Sequence, residues 1–166
     1  MSRKTAFPPI VDQHTQVLML GTMPSEESLR RQEYYGNPKN KFWTLLFTVY
    51  NQPFVSDYRK RVAFLLEQHI GIWDVLQSCE GKGSLDSSIE NEIPNDFNTF
   101  FKQYPQIESI CFTSKKAEHF YKKYVGFDNQ RSYLVLPSPS PANARMTFAE
   151  KSRQWRELLE RILSLP

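Results

Sequence analysis

Two segments of the chain concentrate residue types able to do chemistry. The first is Gly21-Thr22-Met23-Pro24-Ser25, followed by Tyr34-Tyr35-Gly36-Asn37-Pro38-Lys39-Asn40-Lys41-Phe42-Trp43. A glycine ending an apolar run lets a ligand approach the backbone, and Pro24 stiffens the turn behind it. The second part crowds aromatics, neutral amides and lysines directly before an apolar stretch. Together they offer a stacking surface, uncharged hydrogen bonds and cations, a combination that suits a nucleobase on its phosphate backbone. A purely structural reading competes with this one: Asn40 caps a helix, and Tyr34 and Tyr35 fill a core. The other segment is Leu136-Pro137-Ser138-Pro139-Ser140-Pro141-Ala142-Asn143-Ala144-Arg145. Prolines at alternate positions preorganise an extended loop. Its hydroxyls, its backbone amides and the N-terminus of the following helix are suited to grip a phosphate. A stiff crossover connection is the alternative.

The elements that must position these segments follow from periodicity. Apolar runs at Val17-Leu18-Met19-Leu20, Ile70-Gly71-Ile72-Trp73, Ile107 to Phe112 and Tyr133-Leu134-Val135-Leu136 read as strands. Helical spacing recurs from Asn40 to Tyr50, from Ser56 to His69, and from Ser114 to Tyr124 with Ser114 as N-cap. A last helix is expected from Thr147 to about Leu163, with a Thr147/Glu150 capping box and with Phe148, Trp155, Leu159 and Ile162 buried. Alternation of strands and helices predicts an α/β domain with a mostly parallel sheet covered on both faces. In such sheets ligands bind outside the carboxyl ends of the strands. The unusual segments all follow strands: Gly21 to Asn40, Asp74 to Asp86, Thr113-Ser114 and Pro137 to Asn143. The site therefore belongs at that edge.

Composition narrows the classes. The 166 residues suit one domain, are 40% apolar and 14% aromatic, and carry a net charge of +3. No run approaches the roughly 18 to 20 apolar residues of a membrane span. MSRKTAFPPI has no apolar signal core, so a cytoplasmic protein is expected. Cys79 and Cys111 stand alone, and His14, His69 and His119 are scattered. No metal or other cofactor is expected. The Gly81-Lys82-Gly83-Ser84 stretch reads as an exposed loop. Lys39, Lys41 and Lys115 read as phosphate contacts, because an imine-forming lysine needs desolvation. Asp74, Asp86, Glu26 and Glu27 read as caps or loop residues, Asp74 being the best placed for chemistry.

Taken in order, the strand-Gly-x-x-Pro opening, the aromatic-Gly-x-Pro-x-Asn-x-Phe-Trp run, Ile72-Trp73-Asp74-Val75, Gly83-Ser84-Leu85-Asp86 and the late Pro-Ser-x-Ser-Pro-Ala-Asn loop resemble the uracil-DNA glycosylase superfamily. The late loop is closest to its hypoxanthine-excising branch, and the resemblance spans roughly residues 17 to 160. It implies a three-layer α/β/α sandwich with a central, mostly parallel four-stranded sheet. It also implies a monomeric, cofactor-free enzyme that flips a deaminated nucleotide, hypoxanthine first and uracil second, from double-stranded DNA and hydrolyses its N-glycosidic bond.

By the same resemblance, Asn40 is the catalytic candidate and Tyr35 the aromatic that stacks on the base. Gly21, Thr22 and Met23 line the sugar and base edge, with Asn37 and Phe42 completing the base-facing set. Ser138, Pro139, Ser140, Pro141 and Asn143 hold the DNA backbone. Three positions depart from the pattern. Met23 stands where many members place Asp or Asn to position water, Asn37 where histidine is usual, and Ser25 where glycine is common. Two other readings remain open: a nucleic-acid-binding protein of the same fold without the chemistry, and an enzyme acting on free nucleosides.

Overall fold

The computed structural model describes residues 3–83 and 86–166, so Ser84 and Leu85 of the Gly83 to Asp86 motif lie outside the described residues. The elements run β1 (Lys4–Thr5), β2 (Val17–Gly21), α1 (Glu26–Arg31), α2 (Phe42–Val49), α3 (Tyr58–Glu67), β3 (Ile70–Asp74), β4 (Leu76–Glu80), a 3-10 turn (Asp86–Ser88), β5 (Glu90–Pro94), α4 (Phe97–Gln103), β6 (Ser109–Phe112), α5 (Lys115–Tyr124), β7 (Ser132–Val135) and α6 (Phe148–Leu159). The expected four strands form one sheet of order β3-β2-β6-β7, and every pairing in it is parallel.

Alternation along the strands divides the core in two. Val17 and Met19 of β2, with Ile70, Ile72 and Cys111, pack against α2, α3 and α6. Leu18 and Leu20, with Ile110 and Phe112, pack against α4 and α5. The result is the three-layer sandwich. Each fully buried Leu or Ile contributes about 1.5–3 kcal/mol, so these two layers, rather than the surface ion pairs, hold the sheet.

Strand β3 is an edge of the sheet, and the chain before β2 covers it. Ile10 and Ile72 form an antiparallel bridge with N–H donors at 2.9 and 3.0 Å. Gly71 makes this approach possible, since a Cβ there would lie 2.6 Å from the Ile10 carbonyl oxygen. A second sheet, of order β1-β4-β5, is antiparallel and has no counterpart in the periodicity reading. The Lys82 and Gly83 positions of the expected loop are exposed and lie between β4 and β5.

Helices α3, α5 and α6 begin at polar side-chain caps. Asp57 accepts from the Arg59 N–H, Ser114 from Ala117 and Thr147 from Glu150, the last as a reciprocal capping box. Two expectations for α6 need correction. The helix ends at Leu159, and Phe148 is 38% exposed whereas Trp155 and Leu159 are fully buried. Phe148 occupies the first turn, ahead of the stripe that faces the sheet. Helices α1 and α4 were not anticipated.

Trp155 joins this frame to the late proline loop. Its ring meets Phe42 edge to face, with centroids 5.8 Å apart, and its indole N–H donates to the Pro137 carbonyl at 2.8 Å. Trp155→Phe keeps an aromatic ring but strands that carbonyl and leaves unfilled volume. It is expected to cost about 2–4 kcal/mol, read as a lower urea midpoint at unchanged m-value.

Candidate active site

The carboxyl ends of the parallel strands arrive in register. Gly21 lies opposite Asp74 and Leu20 opposite Phe112, with Phe112 opposite Val135. Above them opens a cavity of about 640 Å3, within the range of small-molecule sites. Gly21, Thr22, Met23, Tyr35, Asn37, Lys39, Asn40, Asp74, Thr113, Ser138, Pro139, Ser140 and Pro141 all contribute to its wall. Residues far apart in the chain thus converge on the edge where the strand-following loops were expected to meet.

Tyr35 forms one side of the cavity. Its backbone has φ 53°, a left-handed conformation that is strained for an aromatic residue and that persists only when its surroundings enforce it. Here the ring stacks on Phe42 with centroids 4.0 Å apart and planes 10° from parallel. Its hydroxyl shares a 2.9 Å hydrogen bond with Thr113 Oγ1. Phe42 itself is fully buried. It supports Tyr35 from behind and does not reach the cavity, which corrects its expected place among the base contacts. Tyr34 belongs to the core, as the structural reading had it. It is 4% exposed, its hydroxyl donates to the Pro8 carbonyl at 2.8 Å, and its carbonyl accepts from Trp43 Nε1 at 2.8 Å. Burial first, and the Asp74 charge next, push the Tyr34 phenol far above its ordinary range.

Asn40 has the capping role considered for it and also lines the cavity. Its Oδ1 accepts the Phe42 backbone N–H at 2.9 Å, a local cap at the entry to α2. That bond fixes which end of the amide is oxygen. The Nδ2 amino group is the end left for the cavity, as a pure donor. Asn37 shapes the same turn: its Oδ1 accepts the Lys39 N–H and its carbonyl the Asn40 N–H, both at 2.9 Å.

Asp74 was read as a cap or loop residue. It is instead the last residue of β3, 4% exposed, on the cavity floor. The floor is tight. A Cβ on Gly21 would lie 2.8 Å from Asp74 Oδ1 and 3.1 Å from the Tyr35 hydroxyl. The signal in the sequence was its place directly after the apolar run Ile70 to Trp73. Thr22 is 4% exposed and shares a 3.2 Å bond with Ser114 Oγ. Ser28, also unanticipated, accepts the Gly36 N–H at 2.9 Å and holds the Tyr35 loop to α1.

The proline loop is organised differently from expectation. Ser138 Oγ accepts the Ser140 N–H and Ser140 Oγ accepts the Ala142 N–H, each at 3.2 Å. Those amides are therefore taken, and the hydroxyl protons remain as the donors. Asn143 braces the loop, its Nδ2 donating to the Ser138 carbonyl at 3.2 Å, and it does not line the cavity. The start of α6 carries its own carboxylate, since Glu150 accepts the Thr147 N–H, so that helix end is no open phosphate grip. Lys39 lines the cavity. Lys41 and Lys115 are exposed outside it, beside the proline loop and at the first turn of α5.

Comparison with known proteins agrees with this arrangement. Residues 8–159 match the model of the uracil DNA glycosylase superfamily. A hypoxanthine DNA glycosylase of Methanosarcina acetivorans is 37% identical over 153 residues, covering 92% of this chain and 95% of that protein. A hypoxanthine DNA glycosylase of Methanosarcina barkeri is 32% identical over 162 residues, covering 96% of this chain and 99% of its own. A solution NMR structure from Methanosarcina acetivorans, described as a candidate uracil DNA glycosylase, superposes with a TM-score of 0.80 at 36% identity, over 95% of this chain and 99% of that one. The chain belongs to the uracil DNA glycosylase superfamily.

Proposed function

We propose that this protein is a monofunctional DNA glycosylase that flips a deaminated base, hypoxanthine in preference to uracil, out of double-stranded DNA and hydrolyses its N-glycosidic bond. The observation that carries this reading is the pairing of a cap-oriented amide donor, Asn40 Nδ2, with a buried carboxylate, Asp74, beside the half-buried ring of Tyr35. Hypoxanthine and uracil each carry a ring N–H next to a carbonyl. Adenine and cytosine have a bare acceptor nitrogen at the corresponding place. A fixed donor and a carboxylate with several acceptor positions match the first pattern and oppose the second. The relatives named as hypoxanthine DNA glycosylases support the choice of base.

In the reaction the bond from C1′ to the base nitrogen breaks, and its electron pair leaves with the base. The sugar becomes an oxocarbenium ion that water captures, yielding an abasic site and, after proton transfer, the free base. Asn40 Nδ2 strengthens its hydrogen bond as negative charge grows on the base, which lowers the barrier. Tyr35 stacks on the extruded ring, and Ser138 and Ser140 offer hydroxyl donors to the strand where the nucleotide has left. One cavity within one chain holds all of these groups, which supports a monomeric enzyme. Met23, which brings no polar group to the cavity wall, favours a second reading in which the fold binds DNA without chemistry.

Incubation with inosine-, uracil- or xanthine-containing duplexes, followed by hot alkali, separates the two. Strand cleavage at the lesion is expected for inosine above all, and binding without cleavage on every substrate would establish the non-catalytic reading. Asn40→Ala should reduce single-turnover excision on the order of 10²-fold or more while duplex affinity stays near that of the unmodified protein. Gly21→Ala places a methyl group against Asp74 and the Tyr35 hydroxyl. Excision is expected to fall on the order of 10²-fold with circular dichroism unchanged.

A further inference from the structure

Among the described residues, the charged side chains that are buried are Asp74, at 4% exposure, and Lys151, at 5%. Asp74 belongs to the cavity. Lys151 lies on α6 behind the proline loop, and its ammonium reaches the Ser140 carbonyl at 3.4 Å, long for a charge-assisted bond. An ammonium has three donors. The ion pairs among the described residues do not include Lys151. Its charged neighbour is another cation, Lys41. Burial first and Lys41 second hold the Lys151 ammonium below the ordinary lysine range.

A buried cation beside a like charge destabilises a free protein. An aliphatic residue would fill the same space without that cost, so the position makes sense if an anion arrives. The geometry says where. Lys41 donates its backbone N–H to the Pro139 carbonyl at 2.9 Å, and Lys151 reaches the next carbonyl, that of Ser140, which also accepts the Asn143 N–H at 3.0 Å. The two lysines hold two successive carbonyls of the loop, one on each side of Ser140, and the Ser138 and Ser140 hydroxyls are available as donors. We infer that Lys41 and Lys151 form a two-cation seat for one phosphodiester of the bound DNA strand, docked on the Pro139-Ser140 segment. Lys151 is a positioning residue in this seat. It braces the Ser140 carbonyl together with the Asn143 N–H and supplies, from behind the loop, a positive charge that water screens weakly. The inference rests on reading the protein as one that acts on DNA.

The test uses lesion-free duplex, so it needs no excision. Melting temperature without DNA, duplex affinity and its salt dependence are measured for the unmodified protein, K151M, K151R, K41M and the double variant K41M/K151M. K151M should melt no lower than the unmodified protein, yet bind duplex about tenfold more weakly at low salt and lose about one unit of log–log salt slope. K151R should recover most of the affinity. K41M, at an exposed position, should also lose about one unit of slope. Because both lysines serve one phosphate, Lys41 from the surface and Lys151 through the loop, the double variant should lose less than the sum of the two single losses.

K151M that melts lower or fails to fold would make Lys151 a structural anchor and overturn the inference. An unchanged slope in K41M, or strictly additive losses, would do the same. So would inorganic phosphate alone stabilising the unmodified protein as much as duplex does. Excision with normal slopes in both variants sinks this inference alone. Altered slopes in a protein that excises no base sink the glycosylase reading and leave the seat standing.

Discussion

One backbone hydrogen bond joins the two halves of the site: the Lys41 N–H donates to the Pro139 carbonyl at 2.9 Å. On one side of it stand Tyr35, Asn37 and Asn40, carried by the loop before α2. On the other stands the proline loop, two of whose other carbonyls are reached from α6, Pro137 by Trp155 and Ser140 by Lys151. The relative position of these two sets of groups is therefore set by short contacts within one chain. Prolines at positions 137, 139 and 141 make this affordable in entropy, because the loop has little freedom left to lose.

The same economy appears on the cavity floor. Gly21 ends β2 with no side chain, and the Asp74 carboxylate and the Tyr35 hydroxyl come within van der Waals reach of where one would stand. Tyr35 holds a left-handed backbone because stacking on Phe42 and the bond to Thr113 enforce it. The strain is local, and the two core layers that anchor Phe42 and Thr113 outweigh it. Groups held this way need little rearrangement when charge develops, which is the condition under which fixed dipoles are most effective.

The legible parts of the chain were those with a period and a cap. The four parallel strands, and the helices behind Ser114 and Thr147, carry apolar spacing that no competing structure satisfies. The loops at the strand ends then located the site. Helix α1, with sequence EESLRR, has no apolar stripe to show; it is held by the Ser25 cap and by Ser28 reaching the Gly36 loop. Strands β4 and β5, LQSCE and ENEIP, are too polar to alternate visibly, and register irregularities interrupt their pairing. Lys151 was invisible for another reason. On a helix that also displays Arg153 and Arg156, one more basic residue reads as solvated surface, and only the loop folded over it shows otherwise.

The Met23 position then takes on a different meaning. A carboxylate or amide there would serve to position or activate water, which matters most when water must push the base out. In a dissociative reaction the base leaves first, and the oxocarbenium ion needs no strong nucleophile. On the proposed reading the demand shifts to the leaving group, where Asn40 would supply a donor whose orientation is already fixed by the Phe42 N–H. Purines suit this route, because negative charge on a departing hypoxanthine spreads over two fused rings. A cavity whose wall holds Met23, the helix-capping Asn40 and the buried carboxylate of Asp74 suits the proposed chemistry, which rests on stabilising what leaves more than on activating what attacks.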